Sequence, residues 1–198
     1  MKRIHQALRA LVREKMKRHK HPTAGCLDSQ SVKTTAVATA VATAVATAVA
    51  TAVAGVRGYD SGKKVKGRKR HLLCDTQGLA LELVVTPANV SSQRVQPTCL
   101  THKARAWCFA KQEDAAMSPR NCAVCGLRRV WVDAGYKKGA VEWCQEKRGV
   151  TLEVVTKDKE QSGFVLQKRR WVVERTFSWL SAHRRLVRDY VSSSPSSA

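Results

Sequence analysis

Acidic residues are scarce in this sequence. It has 15 Asp and Glu against 36 Lys and Arg, a formal net charge of +21 over 198 residues. A chain so short of negative charge repels itself unless a polyanion offsets the excess, and the usual polyanion is nucleic acid. A membrane surface would call for a basic helix with a bulky apolar face, which the basic segments do not clearly form. A secretory signal is also lacking. Met1 to Lys20 is charged throughout and has no apolar h-region. With no signal and an odd count of seven cysteines, free thiols in a reducing cytoplasm are expected. A second cysteine pair is missing too. Cys122 and Cys125 make half a zinc site, but Cys99, Cys108 and His102 do not complete it at a usual spacing, and no thioredoxin-like unit surrounds the pair. No HExxH and no GxxxxGK[ST] occurs, which removes the common metalloprotease and P-loop chemistries. His71 and His183 are left as structural or phosphate-facing residues.

What is present suffices for one α/β domain. Hydrophobic residues make up 43% of the chain, too many for a disordered tail. Residues 1–20 predict a basic helix in which Ile4, Leu8, Leu11 and Val12 recur at helical spacing and the arginines lie elsewhere on its surface. Pro22 ends it. Residues 24–33 predict a strand carrying Asp28. Residues 35–54 are TAVA five times over, the core of an uncharged stretch from Thr34 to Val56. Its length would allow a membrane helix, but one residue in four is Thr and aromatic anchors are missing. It reads as a low-complexity insert without chemistry. Residues 57–70 predict a Gly- and Lys-rich loop. Residues 70–76 and 79–86 predict a hairpin about Gln77-Gly78. Residues 91–127 show no clean period. Strands at 128–133 and 151–156, helices at 140–148 and 168–188, and a disordered tail at 191–198 complete the order. Alternating strands and helices of this kind predict a mixed sheet flanked by helices.

Three acids stand out. Asp28 is read at the end of the first strand, Asp133 closes a strand after the apolar run Val130-Trp131-Val132, and Glu174 sits on an otherwise basic late helix. Ligands gather at adjacent strand ends in open sheets. Two carboxylates there, with a third from a packed helix, form a hard oxygen set suited to Mg²⁺ or Mn²⁺. Two such ions, about 3.5–4 Å apart, clamp the attacking and leaving oxygens of an in-line phosphoryl transfer. Arg170, one turn before Glu174, either pairs with it or contacts a phosphate beside the ions. The run Lys63, Lys64, Lys66, Arg68, Lys69 and Arg70, together with Arg175, is the densest expected phosphate contact.

The stretches LDSQSVKTT, RGYDSGKKVKGRKRHLLCDTQGL, PANV, VWVDAGY and RRWVVERTFSWLSAHRRLVRDY resemble the catalytic domain of the DDE transposases of the IS5 group of bacterial insertion sequences. The match is close over roughly residues 20–90 and 128–190. The resemblance implies an RNase H-like fold for residues 23–190, with the TAVA insert at 35–54. It carries the acid triad onto Asp28, Asp133 and Glu174, and an Arg-x-x-x-Glu signature onto Arg170 and Glu174. The implied activity is metal-dependent cleavage and strand transfer of double-stranded DNA, in the cytoplasm at the nucleoid, with a homo-oligomer on DNA left open. Signature Tyr and Lys positions of related groups hold Gln167 and Ser181 instead. Family members usually carry a helical DNA-binding domain ahead of the basic helix, so residues 1–22 are expected to be a remnant of it. They also run from the KTT segment to RGYD in a few residues. These departures point to a degenerate or truncated copy. A non-catalytic DNA-binding remnant and a simple RNase H-like nuclease are the alternatives.

Overall fold

The computed structural model describes residues 2–35, 57–90, 126–133, 138–156 and 169–189. The TAVA array, residues 91–125 with Cys122 and Cys125, and the Ser-rich tail lie outside these residues. The described elements run α1 (Lys2–Lys15), β1 (Ala24–Lys33), β2 (Gly58–Asp60), β3 (Val65–Asp75), β4 (Ala80–Pro87), β5 (Arg129–Asp133), α2 (Lys138–Arg148), β6 (Thr151–Val155), α3 (Trp171–Ala182) and α4 (Arg184–Val187).

The strands form a six-stranded sheet in the order β2-β3-β1-β5-β6, with β4 also paired to β3. β1 is antiparallel to β3, from Gly25–Asp75 to Lys33–Gly67, and parallel to β5 through Ala24–Arg129 and Cys26–Trp131. β5 and β6 are parallel. This is the expected mixed sheet. Because side chains alternate along a strand, β1 serves two cores. Leu27 joins Leu73, Val130, Val132 and Leu152 on the side covered by Cys144 and Val141 of α2. Cys26 joins Leu72, Cys74 and Trp131 on the side covered by Val172, Val173 and Phe177 of α3.

The β3–β4 turn follows the Gln77-Gly78 signal. Asp75 Oδ1 accepts the N–H groups of Gln77 and Leu79, both at 2.9 Å. Gly78 takes the positive φ of 87° that the turn needs. α3 rests on this turn, with Thr176 Oγ1 donating to Gly78 O at 3.0 Å and Arg175 Nη2 to Gln77 O at 2.9 Å.

Three expectations need correction. Residues 57–70 are largely strand: β2 and the first half of β3 form a hairpin with its tip at 61–64. The dense positive charge is compatible with a sheet because acids offset it, Asp60 of the paired strand beside Lys69 and the distant Asp189 beside Arg68. At Gly67 a Cβ would lie 2.0 Å from Val32 O, so the strands can close only over glycine. The helix expected over 168–188 is broken at His183, whose extended backbone separates α3 from α4. Finally, α1 is inside out relative to its pattern. Ile4, Leu8 and Leu11 are more than half exposed, whereas Arg9 and Arg13 are buried. Arg9 donates to Ala80 O, and Arg13 pairs with the fully buried Asp75 and donates Nε to His19 O at 2.7 Å. Polar groups of the hairpin turn, not an apolar groove, are what α1 meets.

Candidate active site

Asp28 lies two residues beyond Cys26, in the middle of β1 and not at a strand end as expected, because β1 runs on to Lys33 beside β3; Asp133 lies two residues beyond Trp131, at the end of β5. Cys26 and Trp131 are register partners on these parallel strands, so the period of two puts both acids on the α3 side of the sheet. α3 approaches from that side, anchored by Val173 and Phe177. Its N-terminal end presents Arg170 and, one turn on, Glu174.

The three acids meet at Arg170. Its Nη2 lies 3.2 Å from Asp28 Oδ2 and 3.7 Å from Glu174 Oε1, and its Nη1 lies 3.1 Å from Asp133 Oδ1. The contacts to Asp28 and Asp133 are hydrogen bonds. Asp28 is the deepest of the acids, with 16% of its side chain exposed, while Asp133 and Glu174 stand at 44% and 50%. The cluster is therefore largely buried at Asp28 and open to solvent at Asp133 and Glu174. Burial alone would lower the pKa of Arg170. The carboxylates of Asp28, Asp133 and Glu174 outweigh that and hold it above its ordinary value.

Surrounding groups fix this geometry. Cys26 Sγ donates to Arg169 O at 3.0 Å, tying the residue before Arg170 to β1. The Arg169 guanidinium lies 4.7 Å from the centre of the Trp131 ring and 3.3 Å from Glu153 Oε1. Gln30 Nε2 donates to Ser181 Oγ at 3.4 Å, joining β1 to the far end of α3. Asp28 Oδ1 accepts the N–H of Ser29 at 2.7 Å. The Cys26–Arg169 and Gln30–Ser181 bonds join residues more than 140 apart in sequence, so no local motif announces them. The period of two running Cys26, Asp28, Gln30 is the one signal that could have placed them on a common face.

The donor chemistry fits a divalent cation. Three carboxylates face one point, with no imidazole among them and the nearby Cys26 thiol engaged elsewhere. Hard oxygen donors of this kind suit Mg²⁺ or Mn²⁺. With Arg170 among the acids, no three His, Cys, Asp or Glu side chains of the described residues close into a metal-holding set.

The expected phosphate contacts divide into two groups. Lys63, Lys64 and Lys66 are exposed on the β2–β3 hairpin. Lys63 Nζ lies 3.4 Å from Ser29 O, which brings the hairpin tip to the residue next to Asp28. The other four are tied into the fold. Arg68 Nε lies 3.5 Å from Asp189, Lys69 Nζ lies 3.1 Å from Asp60, and Arg70 donates to Leu186 O. Arg175 is held between the rings of Trp171 and Trp179, 4.4 and 4.8 Å from their centres. His71 is 1% exposed and bonded to Thr86 Oγ1 at 2.9 Å, so it is structural and does not face phosphate.

Comparison with known proteins gives the family. The family model described as "Transposase DDE domain" matches residues 19–195. The chain is 32% identical, over 124 residues, to the Burkholderia cepacia protein named "Putative transposase for insertion sequence element IS402". The matched region is 61% of this chain and 52% of that protein, so the chain spans about half the length of this relative.

Proposed function

Since the chain belongs to the family of transposases with the DDE domain, we propose that it cleaves DNA strands and joins them to a target in the movement of an insertion sequence. Its mixed sheet flanked by helices is the RNase H-like core of that family. The carrying observation is the meeting of Asp28, Asp133 and Glu174 within reach of one guanidinium, from β1, β5 and α3. These three carboxylates would hold one or two Mg²⁺ or Mn²⁺ ions. Bound there, the ions lower the pKa of an attacking water or 3′-hydroxyl and offset charge on the transferred phosphoryl group.

The chain's own residues do the rest. Asp28, the most buried of the acids, is fixed by β1 and by the Ser29 N–H. Asp133 and Glu174 are the acids open to solvent. Lys63, Lys64 and Lys66 carry positive charge on the hairpin next to the cluster, where they would track the phosphates of double-stranded DNA. Trp131, buried beneath Arg169, keeps the buried side of the cluster apolar. Among the described residues no helix is long and apolar enough to cross a membrane. Action on DNA at the nucleoid, and assembly of more than one copy on it, belong to the same proposal.

Nicking of supercoiled plasmid in Mn²⁺ tests it. The wild-type chain is expected to nick, and Asp133→Ala to bind the plasmid without nicking. A wild-type chain that binds DNA and never nicks it would replace this reading with that of a non-catalytic DNA-binding remnant. Nicking without strand joining would leave a simple nuclease.

A further inference from the structure

Among the described residues, Arg170 contacts all three acids, and this position bears on how the site is loaded. We infer that Arg170 is a built-in counter-ion of the acid cluster, which a DNA phosphate draws away, so that divalent-ion loading and DNA binding strengthen each other. The inference rests on the proposed metal-holding role of Asp28, Asp133 and Glu174.

The guanidinium nitrogens lie 3.1 to 3.7 Å from oxygens of the three carboxylates. A divalent ion takes the same oxygens at about 2.0–2.6 Å. An ion and a guanidinium cannot both stand at the centre of one cluster, because like charges a few ångströms apart in a partly buried site repel strongly. Loading therefore requires Arg170 to give up at least part of its contacts with Asp28 and Asp133. Its charge does not vanish, since a guanidinium stays protonated, and the three acids hold its pKa above the ordinary value.

A phosphate is the natural destination. The planar fork that binds carboxylate oxygens binds phosphate oxygens with the same geometry. The cluster is open to solvent where a phosphate would arrive, because the side chains of Asp133 and Glu174 are about half exposed. Lys63, reaching Ser29 O at 3.4 Å, brings a second cation to the residue next to Asp28. The exchange leaves each charge with a partner, the carboxylates with the metal and the guanidinium with the DNA. Without DNA, the protein carries its own cation in place of the metal, and the three acids are not left in mutual repulsion. Thermodynamic linkage makes the effect reciprocal: whatever DNA adds to metal affinity, metal adds to DNA affinity.

Mn²⁺ binding to the full chain, followed by the electron paramagnetic resonance signal of free Mn²⁺, is the test. It is measured without DNA and with a mixed-sequence duplex. Asp133→Ala with the same duplex sets the background of Mn²⁺ held by DNA alone. For the wild type, DNA is expected to tighten Mn²⁺ binding roughly 5–150-fold, the usual range of such couplings. Arg170→Gln is expected to bind Mn²⁺ more tightly than wild type without DNA and to lose most of the DNA effect. Arg170→Lys, which keeps the charge, is expected to retain it. Equal Mn²⁺ affinity of the wild type with and without DNA overturns the inference, even if Arg170→Gln proves too unstable to measure. So does an unchanged affinity in a folded Arg170→Gln. Wild-type protein that binds no Mn²⁺ above the Asp133→Ala background, with or without DNA, overturns the metal reading beneath it.

Discussion

Asp28 and Asp133 occupy matching places on neighbouring parallel strands, each two residues beyond the register pair Cys26–Trp131. Their carboxylates are held on the side of the sheet where α3 delivers Glu174. The sheet fixes two of the acids and the helix the third. The distance of Glu174 from the two aspartates thus depends on how α3 packs through Val173 and Phe177.

The first prediction concerns the strand-borne acids. Asp28→Asn and Asp133→Asn should each lower Mn²⁺-dependent nicking by about a hundredfold or more, since metal charge stabilisation supplies several kcal/mol of the barrier reduction. Plasmid binding should be kept. Timed nicking assays with gel-shift controls read both quantities.

The hairpin lysines should set the salt dependence of DNA binding. Replacing Lys63, Lys64 and Lys66 together by Ala should reduce the slope of log affinity against log salt by roughly 2–3, at about 0.9 per lost phosphate contact. Arg70→Ala should leave the slope nearly unchanged and lower stability, because Arg70 is bound to Leu186 O. Titrations at several salt concentrations separate the two.

Arg13 and Asp75 form a buried ion pair between α1 and the β3–β4 turn. Breaking a buried pair by removing one partner typically costs about 3–5 kcal/mol. Arg13→Ala should fall in that range by urea denaturation. Asp75→Ala should cost at least as much, since the turn also loses its bonds to Gln77 and Leu79.

Acid should destabilise the fold in two windows. Burial, then the charge of Lys69, pushes His71 down from 6.5 to about 4. The unfolded chain therefore binds a proton that the folded one refuses, and stability falls as pH drops from 6.5 through about 4, by on the order of 3 kcal/mol. His71→Gln should flatten this window. Burial of Asp60 works to raise its pKa, but bonds from Ser31, Lys69 and the Lys63 N–H bring it from 3.8 to about 2. Its contribution is present above pH 4 and lost as pH falls toward 2. Urea midpoints across pH, with and without each substitution, show both.

Thr35 and Arg57, on either side of residues 36–56, both bind Asp189. Asp189 O accepts from Thr35 N at 3.1 Å, while Asp189 Oδ2 lies 3.3 Å from Arg57 Nε. Replacing residues 36–55 by a short Gly-Ser linker should change stability by only about 1 kcal/mol, toward stabilisation, because loop closure depends weakly on length. A large loss in urea denaturation would mean that the array contributes to the fold.

Much of this site was legible in the sequence, and the reasons can be named. Asp133 ends a run whose residues Val130 and Val132 are fully buried, and such a run ending on an acid at a strand edge is a local pattern. Arg170 and Glu174, four apart, share a helix face by geometry alone. What could not be read depends on distant partners. The charged run 63–70 looked like loop because its neutralising acids, Asp60 and Asp189, come from another strand and from the far end of the chain. α1 looked ordinarily amphipathic because the partner of Arg13 lies 62 residues away. Apolar periodicity marks a possible buried face, whereas a buried arginine pairing is visible only once the fold has brought the acid to it.

A crystal of the full chain with duplex DNA and Mn²⁺, measured at a wavelength where manganese scatters anomalously, would show whether the three acids hold the metal. Manganese peaks are expected within bonding distance of both Asp28 and Asp133, with Glu174 beside them. Peaks only elsewhere on the protein, or the three acids drawn apart around empty space, would contradict it.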